Sequence, residues 1–483
     1  MLDLRPIGYV VGLLSAALGA AMLLPAAVDY GYGNGHGVRF VESAIVTCLT
    51  GGLMALACAN RVGDRLTLQQ TFLLATSVWV ALPLFGALPF LIGQTEARAV
   101  DAVFEAMSGL TTTGSTVFTK LEALPKGLLL WRSMLQWFGG IGIIVVAMVF
   151  MPELRVGGMQ IFRSEAFDTA GKVLPRAAQI AARIGAAYVA LTLLCIGAYV
   201  LVGMTGFEAF NHALTTISTG GFSTSDASFG VYQGRPEYVA SVFMVLASLP
   251  FVRYVQIMAG SARPILRDPQ VRGFLWVVGV LVGVITAFRV LANGDHAEHA
   301  FREALFNVTS IITGTGYASV DYQLWGAFPV VLFFFIGLIG GCAGSTCCSV
   351  KIFRYQLLIA AVRAQMRRIH SPHGVFTPRY DGRPVTEDLL GSVMAFFGVF
   401  ILTLGLTAVA LGLTGLDLVS SVSGAATAIA NIGPGLGEII GPAGNFASLD
   451  NLEKMLLVFG MFVGRLEMLT VYVLFTGAFW REV

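Results

Sequence analysis

Charge is scarce along this chain: Asp, Glu, Lys and Arg together make up 12% of its 483 residues, about half the share of a soluble domain. That scarcity excludes a water-soluble fold, because the apolar residues, 56% of the total, exceed what a soluble core hides. Neither sign of charge dominates. A net charge of +2, with the basic residues gathered in a few loops and forming no face, excludes a nucleic-acid partner. Cysteine is sparse as well: Cys48, Cys58, Cys195, Cys342, Cys347 and Cys348 fall in or beside apolar segments without metal-ligand spacing, so neither a disulfide framework nor a zinc site is expected. No G-x-x-x-x-G-K-[ST] motif occurs, and GPGLGE (433–438) follows no strand, so nothing here holds a nucleotide or other cofactor. Acidic residues are scattered through connecting loops and do not cluster with His or Ser, which leaves a multi-pass membrane enzyme as a remote alternative.

What is present is hydrocarbon-compatible sequence. Mean hydropathy is +0.77, and many apolar stretches run to roughly twenty residues, the length that crosses a bilayer core about 30 Å thick. The run from Met1 to Val28 is too long for a secretory signal and pairs with Phe40 to Ala59 as a hairpin. Further spans are expected near 71–93, 129–151, 181–204, 238–258, 273–292, 327–350, 389–413 and 455–479, giving ten crossings. One set of alternate connections holds Arg61 and Arg65; Arg155, Arg163, Lys172 and Arg176; Arg263, Arg267 and Arg272; and Lys351, Arg354, Arg363, Arg367, Arg368, Arg379 and Arg383. The positive-inside rule puts these connections, and both termini, in the cytoplasm.

Four of the opposite connections share a pattern. Each has a short helix-capable apolar stretch running into Thr, Ser or Asn and then Gly: DAVFEAMSGLTTTGST (101–116), FEAFNHALTTISTGGFST (207–224), FREALFNVTSIITGTGYAS (301–319) and LDLVSSVSGAATAIANIGPGLG (416–437). Each lies between two spans. The expected fold is therefore all-α and integral to the membrane, with four span–pore-helix–span repeats in a pseudo-tetrameric, K⁺-channel-like pore. An N-terminal hairpin (1–66) precedes repeats at 67–176, 177–268, 269–385 and 386–483. A re-entrant stretch is too short to cross, and its glycine end cannot face lipid with unsatisfied backbone groups. Four such ends aim partial negative charge at one axis, and small residues let carbonyls line it, which suits a dehydrated cation.

These segments, with the hairpin, the IGGCAGSTCCSVK stretch (339–351) and GRLEMLT (464–470), resemble the Trk/Ktr/HKT superfamily of K⁺ transporters, and specifically its bacterial TrkH/TrkG branch, over essentially the whole chain. The resemblance implies filter glycines at Gly114, at Gly220 or Gly221, at Gly314 or Gly316, and at Gly433. Neighbouring carbonyls would come from Thr112, Thr113, Thr219, Thr315, Asn431 and Ile432. STGGF and TGTGY each leave two registers open. In the superfamily a glycine in the first loop goes with K⁺ and a serine, in plant relatives, with Na⁺, so Gly114 implies K⁺ as the bound and transported ion.

Gly340, Gly341, Gly344, Ser345 and Thr346 interrupt the span at 327–350 and read either as a mid-membrane break or as a packing seam. The resemblance implies an intramembrane gating loop. Arg465 lies within the last expected span, where it must face the interior; it reads as a structural ion pair or, by resemblance, as a pore arginine below the filter. Arg253 and Arg289 read as snorkelling anchors and His212 as a packing residue; His370 and His373 lie in a basic loop suited to lipid or partner contact. That loop, 351–388, has seven basic and three acidic residues. By resemblance, the cytoplasmic surface docks a TrkA-like regulatory subunit that binds NAD or ATP, and the pore chain forms a homodimer in the bacterial inner membrane. The expected function is K⁺ uptake, with a Na⁺-conducting or H⁺/Na⁺-coupled symporter of the same superfamily as the alternative and Glu467 the one strong candidate for a buried proton-relay carboxylate.

Overall fold

The computed structural model describes residues 2–60, 66–93, 95, 97–146, 158 and 173–481, the stretch 173–180 through its backbone alone. Arg61, Arg65, Arg155, Arg163 and Lys172, which carry part of the expected orientation, lie outside the described residues, as does the end of the span expected at 129–151.

Among the described residues seven helices are long and apolar enough to cross a membrane: Arg5–Tyr32, Gly37–Cys58, Leu68–Ile92, Lys126–Val145, Ala181–Leu201, Pro269–Asn293 and Glu387–Leu413. The remaining three expected crossings are not straight spans. The segment at 238–258 is two helices, Arg235–Ala247 and Phe251–Met258, bent by 90° at a break that Pro250 enforces, since its ring and missing N–H cannot continue the ladder. The last is Asn451–Arg465 followed by Leu469–Phe475, bent by 102°, so Arg465 ends a helix instead of sitting inside one. At 327–350 the helix covers only Ala327–Gly337; an irregular stretch follows, and a new helix runs from Ile352 to His370.

Between the crossings sit four re-entrant helices, Ala99–Leu110, Gly206–Ile217, Ala297–Ile312 and Leu418–Ala430. At 12 to 16 residues they reach about 18–24 Å, short of a crossing. Their outer ends are capped where the sequence allows: Thr205 and Glu208 form a capping box, and the Asp417 side chain accepts from the Ser420 amide. Asp101, Glu208 and Glu298 place negative charge in the first turn, against the positive end of the helix dipole.

Buried ion pairs join two of the repeat boundaries and brace two repeats internally. Lys454 in the fourth repeat reaches Asp101 in the first (2.7 Å), and Arg302 in the third pairs with Glu237 in the second. Within repeats, Arg132 meets Glu105 (2.7 Å) and Arg289 meets Glu303 (2.6 Å). Arg289 is thus no snorkelling anchor; it is buried, paired also with Asp295 and stacked on Trp325. Arg253 likewise pairs with Asp268 at 2.8 Å. The N-terminal hairpin packs backbone to backbone through Gly12 and Gly51, where an added Cβ would lie 2.6 Å from Gly51 O and from Ala16 N respectively. Asp29 at its outer turn accepts from the Gly127 amide (2.7 Å) and pins the hairpin to the first repeat.

Candidate ion pathway

Each re-entrant helix ends in the same backbone turn. Within two residues of the helix end the backbone is left-handed, at Thr112 (φ 54°), Thr219 (φ 50°), Gly314 (φ 72°) and Asn431 (φ 51°). Two residues on, φ is positive again at Gly114 (87°), Gly221 (78°), Gly316 (80°) and Gly433 (114°). This periodicity closes both open registers. Gly221 and Gly316 are the counterparts of Gly114 and Gly433, whereas Gly220 aligns with Thr113, Thr315 and Ile432, and Gly314 aligns with Thr112, Thr219 and Asn431.

The four outer glycines mesh like a ring. A Cβ on Gly114 would stand 2.2 Å from the Gly220 carbonyl oxygen, one on Gly221 1.9 Å from that of Thr315, one on Gly316 1.8 Å from that of Ile432, and one on Gly433 2.9 Å from that of Thr113. Each glycine therefore abuts the carbonyl just before the glycine of the next loop, and the circuit closes on itself. Glycine is required twice over here, for its positive φ and for the neighbour's oxygen. All four line one cavity of about 140 Å³, with Arg132 and Asp226 also on its wall.

Side chains behind the loops hold them in place. Ser108 Oγ donates to Ser115 O (2.6 Å), and its counterpart Ser310 Oγ donates to Tyr317 O (2.7 Å). The hydroxyls of Thr111 and Thr113 pair at 2.7 Å, as do those of Thr313 and Thr315. Asn431 Nδ2 donates to Thr113 Oγ1 (2.9 Å) and Met461 O (3.0 Å), joining the fourth loop to the first. Glu105 accepts from the Val117 amide (2.9 Å), and Arg132, stacked on Phe222, donates to Ser223 O (2.9 Å). Gln136, on the span that follows the first loop, contacts the second loop. Sequence reading missed Ser108, Ser310, Arg132 and Gln136; the i to i+7 spacing shared by Ser108–Ser115 and Ser310–Tyr317 was a usable signal for the first two. His212 behaves as the packing residue expected, bonded to Glu208 O and Ser223 Oγ.

Below the loops lies the interrupted stretch of the third repeat. Its tip is close beneath the third loop: the Cys348 amide nitrogen is 4.0 Å from where a Cβ of Gly314 would be. It is seated in the break of the second repeat, where Cys342 N donates to Ser248 O (3.0 Å), Thr346 Oγ1 to Ala247 O (3.0 Å), and Phe251 N to Gly344 O (2.9 Å). The Pro250 break and this stretch are thus complementary pieces. Gly340 and Gly344 have positive φ; a Cβ on Gly340 would meet Cys348 O at 2.6 Å, and one on Gly341 would meet Cys347 Sγ at 2.8 Å. Ser345 Oγ closes the turn on Cys342 O (2.7 Å). Of the expected gate residues, Thr346 touches Arg465 directly; the others shape and anchor the loop.

Arg465 is buried and bridges two other repeats, donating to Gly139 O (2.9 Å) in the first repeat and to Thr346 O (3.5 Å) and Cys348 Sγ in the third. Its Nε has no hydrogen-bond partner, and among the described residues no ion pair includes it. The structural ion pair that is one reading of Arg465 is thus not formed with Glu467, the carboxylate two residues along. Glu467 turns instead to Lys351 (3.4 Å) and Arg354, so it is a paired structural carboxylate beside the loop.

A family model described as TrkH, cation transport protein, matches residues 36–482. The chain is 43% identical over 479 residues to the Trk system potassium uptake protein TrkI of Halomonas elongata, spanning 99% of this chain and 97% of that one. It is 35% identical over 484 residues to TrkH of Escherichia coli, across 99% of each. The crystal structure of the potassium transporter TrkH from Vibrio parahaemolyticus matches with a TM-score of 0.92 at 33% identity, covering 99% of this chain and 100% of that one.

Proposed function

The chain belongs to the TrkH family of cation transport proteins, and on that premise we propose that it takes up K⁺ through a filter built from its four glycine loops. The observation that carries this reading is the closed ring of Gly114, Gly221, Gly316 and Gly433, each packed on the next loop's carbonyl. K⁺ arriving from outside sheds water against carbonyls of three stacked layers: the glycines; Thr113, Gly220, Thr315 and Ile432; and Thr112, Thr219, Gly314 and Asn431. The inward membrane potential supplies about 2.3 kcal/mol per charge per 100 mV.

Below the filter the path is shut by the loop containing Gly340, Gly341, Gly344, Ser345 and Thr346 and by Arg465. A guanidinium on the axis repels the permeant cation, and its bonds to Gly139 O and Thr346 O hold the loop closed across two repeats. Opening requires that loop to leave the break at Ala247–Pro250. A TrkA-like cytoplasmic subunit that binds NAD or ATP supplies the work, the pore chain acts as a homodimer in the bacterial inner membrane, and both termini are cytoplasmic. The basic residues Arg263, Arg267, Arg272, Arg363, Arg367 and Arg368 support that orientation. The test is rubidium uptake into proteoliposomes holding the purified chain, with and without such a subunit and nucleotide. Uptake that competes with K⁺ and not with Na⁺ is expected; its absence from correctly inserted protein would overturn the reading.

A further inference from the structure

The second filter loop differs from the other three at one position. Where they carry Thr113, Thr315 and Ile432, it carries Gly220, and the space of the missing side chain is filled from another repeat. A Cβ on Gly220 would fall 2.4 Å from Cδ and Oε1 of Gln136 and 2.8 Å from its Nε2. The fully buried Gln136 carboxamide lies flat against the loop, its Nε2 donating to Gly220 O (2.6 Å) and its Oε1 accepting from Phe222 N (3.0 Å). A carbonyl at one end and an amide at the other allow the group only one way round. The carbonyl so held is also the one against which Gly114 packs.

We propose that Gln136 is a specificity-determining positioning residue, clamping the Gly220 carbonyl so that the filter keeps K⁺ geometry on the side where its fourfold symmetry is broken. It touches no ion. It fixes the direction of one coordinating dipole and takes up one of that oxygen's two lone pairs, which neutral side chains do not do at Thr113 O, Thr315 O or Ile432 O among the described residues. The doubled glycine of STGGF is the counterpart of this clamp, because any side chain at Gly220 would expel the carboxamide. This inference rests on the reading of the four loops as the filter.

The test measures rubidium over sodium permeability for the full chain in proteoliposomes. Gln136→Glu, when ionised, keeps the shape and the acceptor for Phe222 N but sets a charged oxygen against Gly220 O; it should lower the ratio at least about 3- to 10-fold, the scale of one lost hydrogen bond. Gln136→Ala should lower it similarly. A purely structural role would reduce the number of active molecules and leave the ratio alone. Gly220→Ala should lower the ratio by displacing Gln136, and the double variant Gln136→Ala, Gly220→Ala should be no worse than Gln136→Ala, since both act through one contact. Wild-type ratios in Gln136→Glu and Gln136→Ala, with a lowered ratio in Gly114→Ser, would overturn the clamp and leave the filter reading standing. An unchanged ratio in Gly114→Ser as well would remove both.

Discussion

At the scale of single residues, the four glycines of the proposed filter are not equivalent, because the space around each differs. Alanine at any of them costs about 1–2 kcal/mol for its positive φ. The contact with the neighbouring carbonyl then grades the damage: 1.8 Å at Gly316, 1.9 Å at Gly221, 2.2 Å at Gly114 and 2.9 Å at Gly433. Rubidium flux and selectivity should therefore suffer most in Gly316→Ala and Gly221→Ala and least in Gly433→Ala. Equal losses at all four positions would contradict the ring geometry. Gly114→Ser should lower K⁺ over Na⁺ selectivity by about an order of magnitude, because the new Cβ pushes on the Gly220 oxygen while Gln136 holds it. Arg465 offers the opposite result. A unit charge about 4 Å from a passing cation is worth about 4 kcal/mol at an intermediate dielectric, so Arg465→Ala should raise unregulated flux at least about tenfold.

At the scale of elements, the loop we propose as the gate is seated in a broken helix beside a buried charge cluster. Ser349, Lys351 and Glu467 all have positive φ (64°, 73° and 59°), conformations that cost of order 1–3 kcal/mol each and persist only where the surroundings enforce them. Glu467 is one of the groups that hold this stretch, since it pairs with both Lys351 and Arg354 in a buried setting. Glu467→Gln removes the carboxylate that Lys351 and Arg354 share in a buried setting and should cost about 3–5 kcal/mol. A lower thermal midpoint in detergent, together with raised flux without nucleotide, is the expected outcome; a lower midpoint with unchanged flux would make the cluster a brace with no part in gating.

At the scale of the whole molecule, the ring of repeats closes where Lys454 meets Asp101. Burial works to raise the Asp101 carboxyl, but hydrogen bonds from Arg98 and Lys454 outweigh it and hold the group below the usual carboxylate range. A lowered folded value adds stability that is complete above the unfolded value, about 3.9, and is lost as pH falls through the folded one. The thermal midpoint should thus show no Asp101 contribution to its pH dependence between about pH 5 and 8 and should fall below about pH 4. Asp101→Asn should remove that acid limb and, by leaving the fully buried Lys454 without its carboxylate, destabilise the protein at neutral pH by about 3 kcal/mol. Melting curves against pH for both proteins decide it.

The amino-acid sequence by itself determined the solvent, the repeat and the chemistry of the loops. Those are properties of composition and local spacing: twenty-residue apolar runs match a bilayer, and Thr, Gly and Asn in phase mark backbone that must face water. It also marked Gly340–Thr346 and Arg465 as out of place in a lipid-facing helix. Only the tertiary structure decided the register of STGGF and TGTGY, because which glycine serves depends on whose carbonyl lies beside it, and that oxygen belongs to another repeat. The same holds for Arg289 and Glu467, whose partners are 14 and 116 residues away, and for Gln136, 84 residues from Gly220. The break at Pro250 was legible as a proline in a span, yet its purpose was not, since the loop it receives comes from the next repeat. Pairings between distant segments carry no local spacing, and here those pairings place the four glycine loops and seat the interrupted stretch beneath them.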